Sequence, residues 1–283
     1  MQIAAKLNQQ VLAVYGEFLS DDGRSVDYVG MAKSDAFAAY VAASRELRHV
    51  DAAQLTVGER MAFFINLYNM LEIHARIHHA VAASDTALKS IKARCCYRVG
   101  AHLLTLEDIE HGILRDNRRP PYNPARRFLP TDPAAALCVK LDPRIHFALV
   151  CGAKSCPPVR IFKPENLERA LDLAAQAFCN DPGNVHIDPT NGAVRLSMIF
   201  RWYSGDFEGN YAEPPPPEVP DGSEAMRDRP ATPVPLTDYP ALRFVLKHLK
   251  GDGQLKADIE GLLKAGSPFI EWIPYDWSEN KKA

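Results

Sequence analysis

The chain is predicted to be α+β: a mixed or antiparallel sheet packed by several helices, with one central buried helix. Three observations carry that prediction. Glu59 to His79 is apolar around its whole axis (Met61, Phe63, Phe64, Ile65, Leu67, Tyr68, Met70, Leu71, Ile73, Ile77), the pattern of a helix enclosed on all sides. Val185 to Asp188 and Ala193 to Leu196 flank Thr190-Asn191-Gly192, the signature of a β-hairpin. Two further segments carry a single apolar stripe at helical spacing: Leu7, Val11, Val14, Tyr15 and Phe18, and later Leu167, Leu171, Ala174 and Phe178.

Taken in order, an amphipathic helix fills the first stretch, and the turn Asp21-Asp22-Gly23 ends it. A short extended piece follows at Val26-Asp27-Tyr28, then a helix from Ala36 to Leu47 and the central helix. Cys96 to Leu104 reads as a short strand pair. Thr105-Leu106-Glu107-Asp108 has the form of a capped helix start, and its helix runs to about Arg115. Arg118 to Pro133, rich in Pro and Arg, reads as loop, whereas Leu137 to Leu141 and Arg144 to Val150 read as strands. Pro164 introduces a helix from Glu165 to Cys179, ahead of the hairpin. Two short helices are expected near Pro240–Leu249 and Leu255–Leu263, and a final strand at Phe269 to Ile273. There is no internal repeat. A single domain over residues 1–283 is expected, with Tyr211 to Thr237, full of Pro and acidic residues, as an extended surface insertion.

Composition narrows the function classes. The chain has 283 residues, 47% hydrophobic and 24% charged, an ordinary globular profile with ample material for a core. A formal net charge of −2 steers the molecule toward neither nucleic acid nor anionic membrane. No apolar run is long enough to span a bilayer. The first ten residues lack a long apolar core, so no secretory signal is read and a cytoplasmic location is expected. Six cysteines are too few for a disulfide framework at this length, and a reduced set is expected. Cys138 and Cys179 lie in apolar or helical surroundings and read as packing thiols. No phosphate loop or dinucleotide fingerprint is present, and no cofactor is expected. A small-molecule or peptide ligand is the expected kind of partner.

Candidate chemistry concentrates between Arg144 and Pro158, where an apolar run ends in Cys151-Gly152 and then Cys156-Pro157-Pro158. Gly152 permits close backbone approach, and backbone N–H groups in the turn after Cys151 would favour a thiolate or an oxyanion. Against this, free cysteines are often small buried hydrophobes. Cys156, stiffened by the prolines, is the rival thiol. In a regular strand, His146 and Cys151 would face opposite ways, which leaves His111 as the better base; a bulge before Gly152 would restore His146. A zinc site would need Cys151, Cys156 and His111 or His146, but the four-residue gap is loose and no second Cys pair exists.

At roughly 100° per residue, Leu106, Ile109, Ile113 and Leu114 define one apolar stripe, with Glu110 inside it and His111 at its edge. A carboxylate there is either a structural ion pair, with Arg144 or Arg160 as candidates, or a functional acid that orients a histidine. Asn66 and Asn69 share a face of the central helix and either tie it to loop backbone or orient an imidazole. His74, His78 and His79 are expected on that helix's exposed end. Trp202, Tyr203 and Phe207 either fill core or line a pocket.

The segment Ala62-Phe63-Phe64-Ile65-Asn66-Leu67-Tyr68-Asn69 resembles the domain of unknown function 547 family. So do Leu106 to Arg115, Ile145 to Pro158, and Ile199-Phe200-Arg201-Trp202-Tyr203 with Asp206-Phe207; Val26-Asp27-Tyr28 and Tyr275-Asp276-Trp277 also fit. On these motifs the resemblance extends over nearly the whole chain. It implies no general activity. The residues themselves suggest a thiol-dependent hydrolase or acyl transferase, with Cys151 as nucleophile, His111 as base and Glu110 as its orienter. Asn66, Asn69, Arg144, His146, Cys156 and Tyr203 would bind or orient. The competing class is a non-catalytic interaction or ligand-binding module, in which Glu110, Asn66 and Asn69 only satisfy backbone groups.

Overall fold

The computed structural model describes residues 2–80, 92, 94–188, 190–208, 234–235, 240–251, 253–265 and 269–282. The chain divides into two compact units. The first comprises Met1–Arg119, Arg126–Glu168 and Trp277–Ala283; the second comprises Pro120–Ala125 and Arg169–Asp276. Most of the Pro-rich stretch at 211–237 lies outside the described residues.

The first unit is built on helix α4, Val57–Ala80. Every residue from Met61 to Ile73 is buried, as an all-round apolar sequence requires. Helices α1 (Gln2–Phe18), α2 (Tyr28–Ala32) and α3 (Asp35–Ser44) pack with it. The extended piece expected at Val26-Asp27-Tyr28 stops at Asp27, because Tyr28 begins α2. Val26 makes isolated bridges to Leu19 and Lys281, and Asp27 caps α2 by accepting from the Gly30 N–H at 2.8 Å. Strands β1 (Cys96–Val99) and β2 (His102–Thr105) form an antiparallel pair with Cys96 opposite Thr105.

The helix after β2 starts on a reciprocal cap. The Thr105 hydroxyl accepts from the Asp108 N–H at 3.2 Å, and the Asp108 carboxylate accepts from the Thr105 N–H at 3.0 Å. From Asp108 to Leu114 it winds as a π-helix, with the Arg115 N–H donating to the Glu110 carbonyl five residues back. The wider winding turns less per residue than 100°. Glu110 and His111 therefore both enter the core, 5% and 1% exposed, where regular helical spacing put His111 at the edge.

The two strands expected at Leu137–Leu141 and Arg144–Val150 do not form. Pro133–Leu137 and Pro143–Phe147 are 3-10 turns. Each opens on an Asp–Pro step whose aspartate, Asp132 or Asp142, caps the N–H two residues on, while the proline presets φ for the first turn. The β-prone side chains that follow are all buried from Ile145 to Val150, so there is no two-face alternation.

The second unit carries a four-stranded mixed sheet among the described residues, in the order β3-β4-β6-β5. β3 (Val185–Ile187) and β4 (Val194–Ser197) are the predicted hairpin, β6 (Phe269–Ile273) lies parallel to β4, and β5 (Val234–Pro235) is antiparallel to β6. The helix Met198–Trp202 and the helix Gln254–Ala265 pack with this sheet, and the helix Pro240–His248 packs on the turn Ser204–Phe207. Helices and separate small sheets together make the architecture α+β.

Candidate functional site

Helix α4 holds two loops by side-chain amides that copy a backbone pair. Asn66 donates to the Phe162 carbonyl at 2.7 Å and accepts from the Phe162 N–H at 2.9 Å. Asn69 donates to the Ala148 carbonyl at 2.9 Å and accepts from the Val150 N–H at 2.9 Å. The second clamp ends one residue before Cys151. Both asparagines thus fix loop backbone.

Beyond that clamp the chain turns at Gly152, with φ +69°. Arg76 occupies the space where a side chain on Gly152 would be: a Cβ there would meet the Arg76 Nε at 2.1 Å. The same guanidinium donates to the Cys151 carbonyl, to Glu72 Oε1 at 2.8 Å and to Glu279 Oε1 at 3.4 Å. On the other side the loop pairs with the C-terminal tail. The Asn280 N–H donates to the Gly152 carbonyl at 3.0 Å, and the Lys154 N–H donates to the Ser278 carbonyl at 2.9 Å. Tyr28 then anchors the tail by donating to Asn280 Oδ1 at 2.7 Å.

The turn brings its two thiols together. Cys151 Sγ lies 2.9 Å from Cys156 Sγ, and the Cys151 N–H donates to Cys156 Sγ at 3.1 Å. Cys151 is half-buried and Cys156 is buried. Burial pushes Cys138 up to about 11, and pushes Cys179 well up and Cys95 up.

Glu72 and Arg76 form a buried ion pair four residues apart, 2% and 6% exposed. Burial pushes the Glu72 carboxyl up to about 7, against the pull of Arg76 and Lys92, and the charge of Cys151 adds to the rise. Its second oxygen, Oε2, is buried without a hydrogen-bond partner among the described residues. Burial works against the Arg76 charge, but Glu72 more than offsets it and the guanidinium stays protonated. Buried ion pairs are costly to assemble and are weak devices for stability.

One turn earlier on the same face, Tyr68 donates to Glu110 Oε2 at 2.8 Å. Burial and the charges of Glu110 and Glu72 hold the phenol protonated. Lys92 Nζ lies 3.8 Å from the same carboxylate oxygen, and His111 Nδ1 lies 3.9 Å from the other. Arg115 Nη1 stands 3.0 Å from His111 Nδ1. A guanidinium can only donate, so Nδ1 offers its lone pair and the neutral ring carries its proton on Nε2.

Several expected residues sit elsewhere. Arg144 forks onto Asp142 and reaches Glu168 Oε2 at 2.6 Å. His146 is buried in the 3-10 turn before the thiols, so the alternating strand that separated it from Cys151 does not exist. Tyr203 belongs to the second unit and is half-buried. His74 is not on an exposed helix end: it packs on Phe37 and Tyr40 and its Nδ1 meets the Tyr97 hydroxyl at 2.8 Å. His78 is exposed, and the side chain of His79 lies outside the described residues. The groups that sequence reasoning passed over are Tyr68, Glu72, Arg76 and Lys92. Two charges four apart inside the mostly apolar run Met61–Ile77 were the available signal.

Among the described residues, no group of three or more His, Cys, Asp or Glu could hold a metal ion, and no helix is long and apolar enough to cross a membrane. Comparison with the curated proteins and with the solved structures gave no match. One family model matches, described as "Protein of unknown function, DUF547", over residues 52–179. That is about half of the chain, not nearly all of it: the matched span holds α4, the π-helix and the thiol turn, and leaves out Val26–Tyr28, Ile199–Phe207 and Tyr275–Trp277. By that span, which carries both Cys151 and Cys156, the chain belongs to the DUF547 family.

Proposed function

We propose that the protein is a thiol-dependent hydrolase or acyl transferase with Cys151 as its nucleophile. The observation that carries this reading is a half-buried thiol, its backbone carbonyl bonded by the buried Arg76 guanidinium, in charge interaction with Glu72, a buried carboxyl group of near-neutral pKa. Glu72 takes the thiol proton, and Arg76 favours the thiolate. The sulfur attacks an acyl carbon, and the leaving group departs with a proton from protonated Glu72. Water or a second acceptor then releases the acyl group. In this reading His111 is not the base, because its Nδ1 lone pair is committed to Arg115. Glu110 and His111 instead position Tyr68 and Arg115.

The non-catalytic alternative draws support from Asn66 and Asn69, whose amides bond loop backbone. Glu110 counts against it, since its oxygens meet the side chains of Tyr68 and Lys92. The test is a panel of activated acyl thioesters and aryl esters, read by product release and by the intact mass of the protein. Acylation confined to Cys151, absent in Cys151→Ala, is the expected result. Glu72→Gln is expected to keep the fold and remove the rise of kcat/KM through pH 7. No acyl adduct and no difference between wild type and Cys151→Ala would discard the hydrolase reading.

A further inference from the structure

We infer that Cys151 and Cys156 form a dithiol site that exchanges with small disulfides and closes to an intramolecular disulfide. The inference stands on the geometry of the two sulfurs and is independent of acyl chemistry. The sulfurs are 2.9 Å apart, so a closure of about 0.9 Å reaches the ~2.04 Å of an S–S bond. The Cys156 N–H donates to the Ala153 carbonyl at 3.0 Å, and with Gly152 in the left-handed region the intervening residues form a tight turn that already holds the sulfurs together. The Cys151 N–H points at Cys156 Sγ and favours negative charge there. The Arg76 guanidinium, bonded to the Cys151 carbonyl, offers a cation for the thiolate, and Glu72 on the same guanidinium offers a carboxyl group in charge interaction with Cys151. The pair is therefore more than two cysteines near each other in sequence.

Exposure sets the order of events. Cys151 is half-buried and meets the incoming disulfide; Cys156 is buried and resolves. The Cys151 thiolate attacks one sulfur of the small disulfide. A mixed disulfide forms, and the first small thiolate leaves and takes up a proton. The Cys156 thiolate then attacks Cys151 Sγ, the mixed disulfide breaks, and the second small thiolate leaves. Two electrons pass from the protein to the small disulfide, whose two halves become thiols. A stronger dithiol reverses the sequence. In the oxidised form Cys151 has no free thiolate, so on the hydrolase reading oxidation switches acyl transfer off.

The full chain, equilibrated with graded mixtures of reduced and oxidised glutathione, quenched with acid and mapped without reduction, decides the matter. The expected product in wild type is a Cys151–Cys156 linkage, two hydrogens lighter, that disappears on addition of dithiothreitol. Cys156→Ser is expected to accumulate glutathione on Cys151, and Cys151→Ser to leave Cys156 unmodified. Both thiols alkylating independently at the most oxidising ratio, with the circular dichroism of the folded protein retained, would overturn the inference. So would glutathione that stays on Cys151 in wild type and never passes to Cys156. The wild-type result needs no variant to fold, and it is read separately from acyl adducts, so either proposal can fail while the other stands.

Discussion

Arg76 and Gly152 are in van der Waals contact across the thiol turn, so close that a Cβ on the glycine would lie 2.1 Å from the guanidinium Nε. One residue thus ties the backbone of the thiol turn to the buried acid of α4. Gly152→Ala is expected to break that tie twice over. A left-handed φ costs a non-glycine residue about 1–2 kcal/mol, and forcing a methyl group into a filled space costs about 1–3 kcal/mol more. The urea midpoint should fall accordingly, with the thiol turn more open to alkylation. An unchanged midpoint would show that the turn is not packed on Arg76.

Asn69→Leu should destabilise more than an ordinary surface change. It leaves the Ala148 carbonyl and the Val150 N–H buried without their partner, at about 1–3 kcal/mol each. Asn66→Leu does the same to Phe162. Urea denaturation of both variants measures this, and losses below about 0.5 kcal/mol, the range of surface substitutions, would refute the clamp.

Glu72 makes stability depend on pH in a known direction. Its carboxyl is raised from 4.5 to about 7, so the folded state binds the proton more tightly. Its contribution is complete below pH 4.5 and is lost as pH rises through 7. The size is about 3 kcal/mol, from about 1.36 kcal/mol per pKa unit. Wild-type stability, measured in urea between pH 5 and pH 8, should fall relative to Glu72→Gln. Parallel profiles would place the Glu72 carboxyl at an ordinary value.

The cysteines should separate by reactivity in the native protein. Cys179 is fully buried and Cys138 is raised to about 11, so both should resist a short pulse of iodoacetamide at pH 8 and react only after unfolding. Cys151 should modify faster than either. Peptide mapping after the pulse checks the order, and a Cys138 as fast as Cys151 would contradict it.

Much of the architecture was legible because it depends on local rules. The enclosed helix followed from its all-round apolar run, the hairpin from Asn191-Gly192, and the start of the π-helix from a capping box at Thr105 and Asp108. Misreadings arose where one local signal outweighed another. Asp132-Pro133 and Asp142-Pro143 cap and preset turns more strongly than the β-prone residues after them favour strand. Regular helical spacing could not reveal that the helix of Glu110 and His111 winds as π, because that winding is settled by packing.

From the amino-acid order alone came the family's motifs, the α+β class, the helix that had to be central, and the thiol turn as the place to look for chemistry. Only the tertiary structure decided which groups surround that turn. Tyr68, Glu72 and Arg76 share one face of α4 with Asn69 beside them, but their partners Glu110, Cys151 and Glu279 lie tens to hundreds of residues away in the chain. Helical spacing places side chains on a face; what that face meets is set by long-range packing, and with it the burial that moves a carboxyl from ordinary acidity to near neutrality.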